Sequence, residues 1–338
     1  MNVEFVAYHL TFSGPIHPGI ESIGQERVEE TIRSDTLWGA IVQSWMLLFD
    51  DSIDEVIRDM SFAVSSCFPV INGTRFFPLP VGVLDNLMEE VSQKPPDFKP
   101  SVKDLKKIKY IAESLLIKIV QGDSISFKDI TLDNKLIIFP CFYETHDTFV
   151  HIVQRPRIRI NQLRGTVDED AFFYCSDIFF PESSGLFFLA TFNNEVSKQK
   201  FDAALRLLGD MGIGADRSIG RGQFRYTASL FSVPLIQSDC CYLLLSLYRP
   251  SSEEVMNGII SSDYSRYTLV RRWGRAGSVS TSRFRRADTW MLSEGSILPF
   301  KPEGTIPRVL KKSDKVPHDV YRYGRAFALP IANKGILP

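Results

Sequence analysis

A chain of 338 residues with 44% hydrophobic and 23% charged content has ample apolar material for a core, so disorder is not its default state and two domains are expected. A formal net charge of −1 excludes a protein that coats nucleic acid non-specifically over its whole surface. It leaves room for a local basic groove, because "DDSIDEVIRD" (50–59) has five acids and one base, while "RPRIRINQLR" (155–164) has four arginines and "RRWGRAGSVSTSRFRR" (271–286) six, neither with an acid. For any single run, solvated arginines on strands are the plain alternative.

The start, "MNVEFVAYHLTF", has no basic segment followed by a long apolar run, so no signal peptide is expected. "VEFVAYHLTF" (3–12) alternates and is rich in β-formers, which predicts a strand. "GPIHPG" (14–19) is a loop, and Ser34 is placed to cap a helix running to about Phe49, with Leu37, Ile41, Trp45 and Leu48 at helical spacing. "GTRFFPLP" (73–80) reads as a strand whose prolines put it at a sheet edge or at its own end. After the linker "QKPPDFKPS" (93–101), Leu105, Ile108, Ala112, Leu115 and Ile119 predict a helix over 102–120.

Strands follow at 135–143 and 148–153, and "RIRIN" (157–161) with "AFFYCSDIFF" (171–180) reads as a long hairpin or protruding β-arm. Beyond the strand 184–192, "SKQKFDAALRLLGDMG" (197–212) is a helix with Ser197 as cap, Phe201, Leu205, Leu208 and Met211 as its buried stripe, and Gly212 as a left-handed stop. A strand at 223–231 closes the first unit. The second has strands at 240–248, 267–273 and 284–292, a short helix at 251–260 and a hairpin-like tail. The order strand, helix, strand, strand, helix, strand in both halves predicts an α+β protein of two ferredoxin-like (RRM-like) domains, 1–233 with an inserted helix and β-arm, and 234–338.

"GIGADRSIGRGQF" (212–224) sets four glycines, Gly212, Gly214, Gly220 and Gly222, beside Arg217, Ser218 and Arg221. A Walker loop or a dinucleotide fingerprint needs strand, loop, helix, so that phosphate meets the positive end of the helix. Here the order is helix, loop, strand, and both cofactor readings fail; no cofactor is expected. What is left is an anion-binding loop in which glycine lets a phosphate chain approach closely, or else a flexible connection with solvated arginines.

Aromatic residues interleave with arginines in Arg271, Arg272, Trp273 and Arg275, in Arg283, Phe284, Arg285 and Arg286, and in Tyr321, Arg322, Tyr323 and Arg325. Rings for bases and guanidiniums for phosphates are how single-stranded RNA is held. Trp273 reads equally as a core residue. Five cysteines, Cys67, Cys141, Cys175, Cys240 and Cys241, have no CxxC spacing, so neither a disulfide framework nor a zinc site is suggested. None of the five histidines has metal-ligand spacing; His17, on a loop, is the one that could serve as a general base or donor near phosphates. With no catalytic constellation and no apolar run of about 18 residues, a cytoplasmic binding module without a membrane span is expected.

"GPIHPGI", "IRSDTLWGAIVQSW", "FPVINGTRFFPLP" and "GIGADRSIGRGQF", followed by "RRWGRAGS", "FRRADTWMLSEGSIL" and "HDVYRYGRAFALPI", resemble in order the RAMP-superfamily subunits of type III-A CRISPR effector complexes known as Csm subunit four. The resemblance implies a non-catalytic subunit that grips the 5′ repeat-derived handle of the crRNA, docks the large polymerase-like subunit and abuts the first copy of the repeated backbone subunit. It implies that the arm bearing Arg155, Arg157, Arg159 and Arg164 is a thumb reaching between guide and target RNA. It makes Gly212, Gly214, Arg217, Ser218, Gly220, Arg221 and Gly222 the handle loop, with His17, Arg33, Ser34 and Asp35 beside it. Two alternatives stay open: a metal-independent RNA-processing endoribonuclease of the same superfamily using His17, and a protein-binding scaffold. Glu294 is a candidate partner contact.

Overall fold

The computed structural model describes residues 2–19, 28–59, 62–95, 100–130, 135–139, 141–142, 145–161, 163, 165–234, 236, 240–276 and 284–333, and of 159, 161 and 166–171 the backbone alone. The strand β1 (Asn2–Phe12) buries both Ala7 and Tyr8 completely, so both of its faces are covered. The helix α1 (Ser34–Leu48) buries Leu37, Trp38, Ile41 and Trp45 at the expected spacing. Its cap position is Arg33, not Ser34, and no side chain caps it; the Ser34 hydroxyl instead accepts a hydrogen bond from the Leu247 amide at 3.0 Å. After α2 (Ile53–Asp59) come β2 (Phe62–Val64), β3 (Phe68–Ile71) and β4 (Thr74–Pro78). β4 lies inside its sheet, and Pro78, which cannot donate to the ladder, ends the strand.

The helix expected over 102–120 is broken. After α3 (Asp85–Ser92), a Ser101–Asp104 capping box starts the single turn α4 (Val102–Leu105); the chain then extends as β5 (Tyr110–Ala112) and re-enters a helix as α5 (Glu113–Gln121), ended by Gly122 in the left-handed conformation. β5 pairs with β4 and with β6 (Leu136–Ile137), which follows α6 (Phe127–Ile130), so long-range ladder bonds override a helical pattern.

The long hairpin is present. β7 (His151–Asn161) pairs with β8 (Thr166–Phe179) from His151–Phe179 out to Asn161–Thr166, and it exposes Ile158, Leu163 and Phe172. β9 (Ser184–Phe192) leads into α7 (Glu195–Met211), which is capped by Asn194, not Ser197: the Asn194 side chain accepts from the Ser197 amide. β10 (Phe224–Pro234) completes the unit. Its sheet runs β10–β1–β9–β3–β4–β5–β6, with β2 also on β9. In β1–α1–β3, β9 lies between the two strands; in β9–α7–β10, β1 does.

One face of this sheet is covered by α1 and α7, where Phe201 meets Tyr8 at 5.3 Å and Phe62 at 5.0 Å. On the other face Phe77 stacks on Phe231 at 5.2 Å and Phe5 meets Phe327 at 5.3 Å. Phe327 belongs to the C-terminal half, so one core runs through both halves. That half contains β11 (Cys240–Leu244), α8 (Ser252–Met256), β12 (Leu269–Arg272), β13 (Thr289–Leu292), β14 (Ile297–Leu298), β15 (Gly304–Thr305), β16 (Arg308–Leu310), β17 (Val320–Tyr321), β18 (Gly324–Arg325) and β19 (Ala328–Ala332). It forms a three-stranded sheet, β14–β11–β19, and separate two-stranded pairs, among them the ribbon β12–β13. Among the described residues no helix is long and apolar enough to cross a membrane.

Phe201 is fully buried among Tyr8, Phe62, Phe188 and Phe192. Phe201→Ala is expected to lower the unfolding free energy by about 3–5 kcal/mol in a urea titration, through lost burial and the cavity left behind.

Candidate nucleic-acid interface

The glycine-rich loop leaves α7 and folds back on the 14–19 loop. The Ala215 amide donates to the His17 carbonyl at 3.0 Å, and the Gly222 amide to the Pro15 carbonyl at 3.0 Å. Gly212 has positive φ but extended ψ (82°, 158°), not the left-handed helical conformation expected of it. A Cβ on Gly212, Gly214 or Gly222 would come within 3.0 Å of a carbonyl oxygen of Arg221, His17 or Ile213 respectively. These three glycines therefore let the loop pack on its own neighbours and do not line an open path for phosphate. Gly220, with φ +82° and open space where a Cβ would stand, is the exception.

Asp216 is left-handed and opens a 3-10 turn, Arg217–Ile219. The Ile219 and Gly220 amides close that turn, whereas among the described residues the amides of Asp216, Arg217 and Ser218 have no acceptor. Arg217 likewise has no charged partner among them, and Ser218 and Gly220 are exposed. Three successive amides and one guanidinium are thus left without an acceptor among the described residues.

Arg221 does the opposite. It is 4% exposed, donates to Asp177 Oδ2 at 2.6 Å, and pairs with Asp216. Asp216 also holds Arg157 at 2.8 Å, and Arg155 lies 3.6 Å from Asp177. Arg221 is thus an internal tie between the loop and the base of the hairpin, which corrects its assignment to RNA. The same applies to His17, which is 2% exposed and donates from Nδ1 to the Ser176 carbonyl at 2.5 Å. His17, Cys175 and Asp177 come close enough to consider a metal ion. The donor set does not fit one: the Arg221 guanidinium already supplies the cation at Asp177, and burial holds the Cys175 thiol above its ordinary pKa, against the opposing pull of Arg221.

A second buried lattice lies at the start of α1. Arg272 reaches from β12 to Asp35, with Nε 3.0 Å from Oδ2 and Nη2 2.9 Å from Oδ1, and to Glu29 at 2.6 Å. Arg33 bridges Glu29 at 3.0 Å and Glu294 at 2.7 Å. Ser66 accepts from the Ser34 amide at 2.8 Å and donates to Glu294. Arg322 is 2% exposed and donates to the Arg272 carbonyl, and Arg286 is held against the Trp273 carbonyl. Burial pushes the Asp35 carboxyl up, but Arg272 and Arg322 outweigh it and hold the group at about 2. Burial also pulls the Arg322 guanidinium down, to about 10. Arg33, Ser34, Arg272, Arg286 and Arg322, expected at the RNA surface, are therefore parts of the join between the two halves. Glu294, expected at a partner surface, is too.

The β12–β13 ribbon sorts the remaining basic residues by alternation. Arg272 points inward; Arg271 points outward, its side chain 51% exposed, as is Arg285 at 61%. Both pair with Asp288. Trp273 sits between them, 6.0 Å from the Arg271 guanidinium and 5.4 Å from that of Arg285, so it is neither core nor a bare platform. Arg275 is exposed and bridges to Arg285 through the backbone. Trp290, opposite Arg271 and 61% exposed, was not singled out from the sequence, although its place between buried Thr289 and Met291 in a strand marks it as outward. Arg164, Arg283 and the side chain of Arg159 lie outside the described residues. A chain of contacts joins the glycine loop to the ribbon: Ala215 to His17, then Pro18 to the Glu29 amide at 2.7 Å, then the Glu29 carboxylate to Arg272.

Comparison with known proteins agrees with this architecture. The RAMP superfamily model matches residues 9–225, and the model of the CRISPR Csm4 C-terminal domain matches residues 237–331. The CRISPR system Cms protein Csm4 of Thermococcus onnurineus (strain NA1) is 27% identical over 305 residues, 88% of this chain and 91% of that one. Its namesake from Methanocaldococcus jannaschii is 25% identical over 178 residues, 45% and 46% of the two chains. Among solved structures, the Csm1–Csm4 cassette in complex with cA4 matches with a TM-score of 0.62 at 21% identity over 99% of both chains. The Csm3–Csm4 subcomplex of a type III-A CRISPR-Cas interference complex matches at 0.57 and 17%, over 97% of this chain and 99% of that one.

The folded Asp35 pKa lies below the ordinary 3.8, so its stabilisation is complete above about pH 4 and is lost as pH falls toward 2. Unfolding titrations are expected to lose about 2 kcal/mol across that window. Asp35→Asn should flatten this acid limb and cost about 3 kcal/mol at pH 7, because buried Arg272 keeps only Glu29 as a carboxylate partner and buried Arg322 loses Asp35.

Proposed function

Because the chain belongs to the RAMP superfamily and ends in a CRISPR Csm4 C-terminal domain, we propose that it is the subunit of a type III-A RNA-guided interference complex that holds the 5′ handle of the crRNA. It docks the large polymerase-like subunit and the first backbone subunit, a reading supported by the Csm1–Csm4 and Csm3–Csm4 assemblies that share its fold. Residues 1–233 are a ferredoxin-like domain, supported by the strand order β10–β1–β9–β3 with α1 and α7 as crossovers. Residues 234–338 are the second ferredoxin-like domain, with the sheet β14–β11–β19 and the helix α8 among its described elements, and the β7–β8 hairpin is the thumb near target RNA.

The observation that carries handle binding is Arg217, half-buried and without a carboxylate partner among the described residues, beside the unbonded amides of residues 216–218 on a loop that Arg221 ties to Asp177 and Asp216. A rigid loop pre-positions its donors, so little ordering entropy is lost when phosphate binds.

Binding is favoured over cleavage by the state of His17. A general base needs a free nitrogen within reach of a ribose hydroxyl; with Nδ1–H on the Ser176 carbonyl the free nitrogen of His17 is Nε2, and at 2% exposure the ring is shut away from an incoming strand. Metal-free incubation with repeat RNA should give no specific cut, and a cut abolished by His17→Ala would replace this reading with the nuclease.

Arg217→Ala should weaken binding of handle RNA by about tenfold or more, the loss of one charge-assisted hydrogen bond, with no change in unfolding midpoint. The slope of log affinity against log salt should shrink by about 0.7. Unchanged affinity in a salt-titrated gel shift would remove the loop from the interface and favour a protein-binding scaffold.

A further inference from the structure

We propose that the outward face of the β12–β13 ribbon is a second contact for single-stranded RNA, with Trp290 as the stacking platform and Asp288 as the placeholder for a phosphate. The proposal rests on the reading of this chain as an RNA-binding subunit and names a site outside the glycine loop.

The register builds the face. Arg271 lies directly across from Trp290, and both are exposed, while Thr289 and Met291 on either side of the tryptophan are buried. Leu269 extends the same face. Among the described residues Trp290 meets no ring, cation or hydrogen-bond acceptor, in contrast to Trp273, which two guanidiniums cover. An indole 61% exposed on a strand leaves most of its ring in water, where a base can stack on it.

Charge chooses the occupant. The face presents Arg271, Arg275 and Arg285 with Asp288 between two of them. Asp288 accepts from both Arg271 and Arg285, the arrangement a phosphodiester oxygen pair would adopt in its place. A polyanion with flat aromatic units fits a net-positive strip with an open ring, and single-stranded RNA is that polymer. The platform is held in place from behind, because Arg272, the inward neighbour of Arg271, is locked onto Asp35 and Glu29.

The test is a salt-titrated gel shift of the full chain with labelled RNA carrying the handle and the adjoining guide nucleotides. Trp290→Ala should weaken binding by about tenfold, one lost stack, while Trp290→Phe keeps most of it. Asp288→Asn should tighten binding and steepen the salt slope by about 0.7, since the freed guanidinium now neutralises a phosphate. If both variants match the parent while Arg217→Ala weakens binding, the ribbon is not an RNA contact and the handle reading stands alone. If Arg217→Ala also has no effect, both fall. If Trp290→Ala binds RNA normally but no longer co-purifies with the large subunit, the face docks protein and the proposal is overturned.

Discussion

The buried pair between Asp35 and Arg272 is the constraint on which the rest of the molecule depends. It joins the first turn of α1 to the ribbon of the C-terminal half, and Glu29, Arg33 and Glu294 extend it into a lattice with little access to water. Such a pair is weak as a source of net stability, because desolvating both charges costs nearly what their attraction returns. Its effect here is orientation. Two guanidinium nitrogens meet two carboxylate oxygens in one geometry, so the ribbon has one angle relative to the sheet. Alternation then does the rest: with Arg272 inward, Arg271 and the residue across from it, Trp290, must face out.

The same logic operates at the other end of the surface. Arg221 is consumed inside, by Asp177 and Asp216, and Arg217, four residues before it, has no carboxylate partner among the described residues. Asp216 also reaches Arg157 of the hairpin, so loop and hairpin base share carboxylates. The net charge of −1 then makes sense in a proposed RNA-binding subunit. Among the described residues Arg155, Arg157, Arg221, Arg271, Arg272 and Arg285 each lie beside a carboxylate. A strand that binds must replace carboxylates instead of settling on bare positive charge, which suppresses non-specific binding to other polyanions.

Much of the architecture was legible in the linear pattern. The alternation of residues 3–12, the stripe Phe201, Leu205 and Leu208, and the paired β-rich segments at 157–161 and 171–180 each correspond to a real element. Their periods report which face each local segment buries, and that survives folding. The reading failed at 102–120, where apolar spacing fits a helix but β4 and β6 were available to pair with Tyr110–Ala112. Caps were misplaced at Ser34 and Ser197, since a serine near a helix start can as well bond a distant amide, as Ser34 does with Leu247.

The amino-acid order by itself determined the alternating and helical segments, the clustering of arginine with aromatic residues, and the concentration of glycine after α7. Only tertiary structure decided which arginines face water. Asp35 and Arg272 stand 237 residues apart, and Arg221 and Asp177 stand 44 apart. No local period encodes such a meeting, because whether a guanidinium is solvated or spent depends on the carboxylate that folding brings to it.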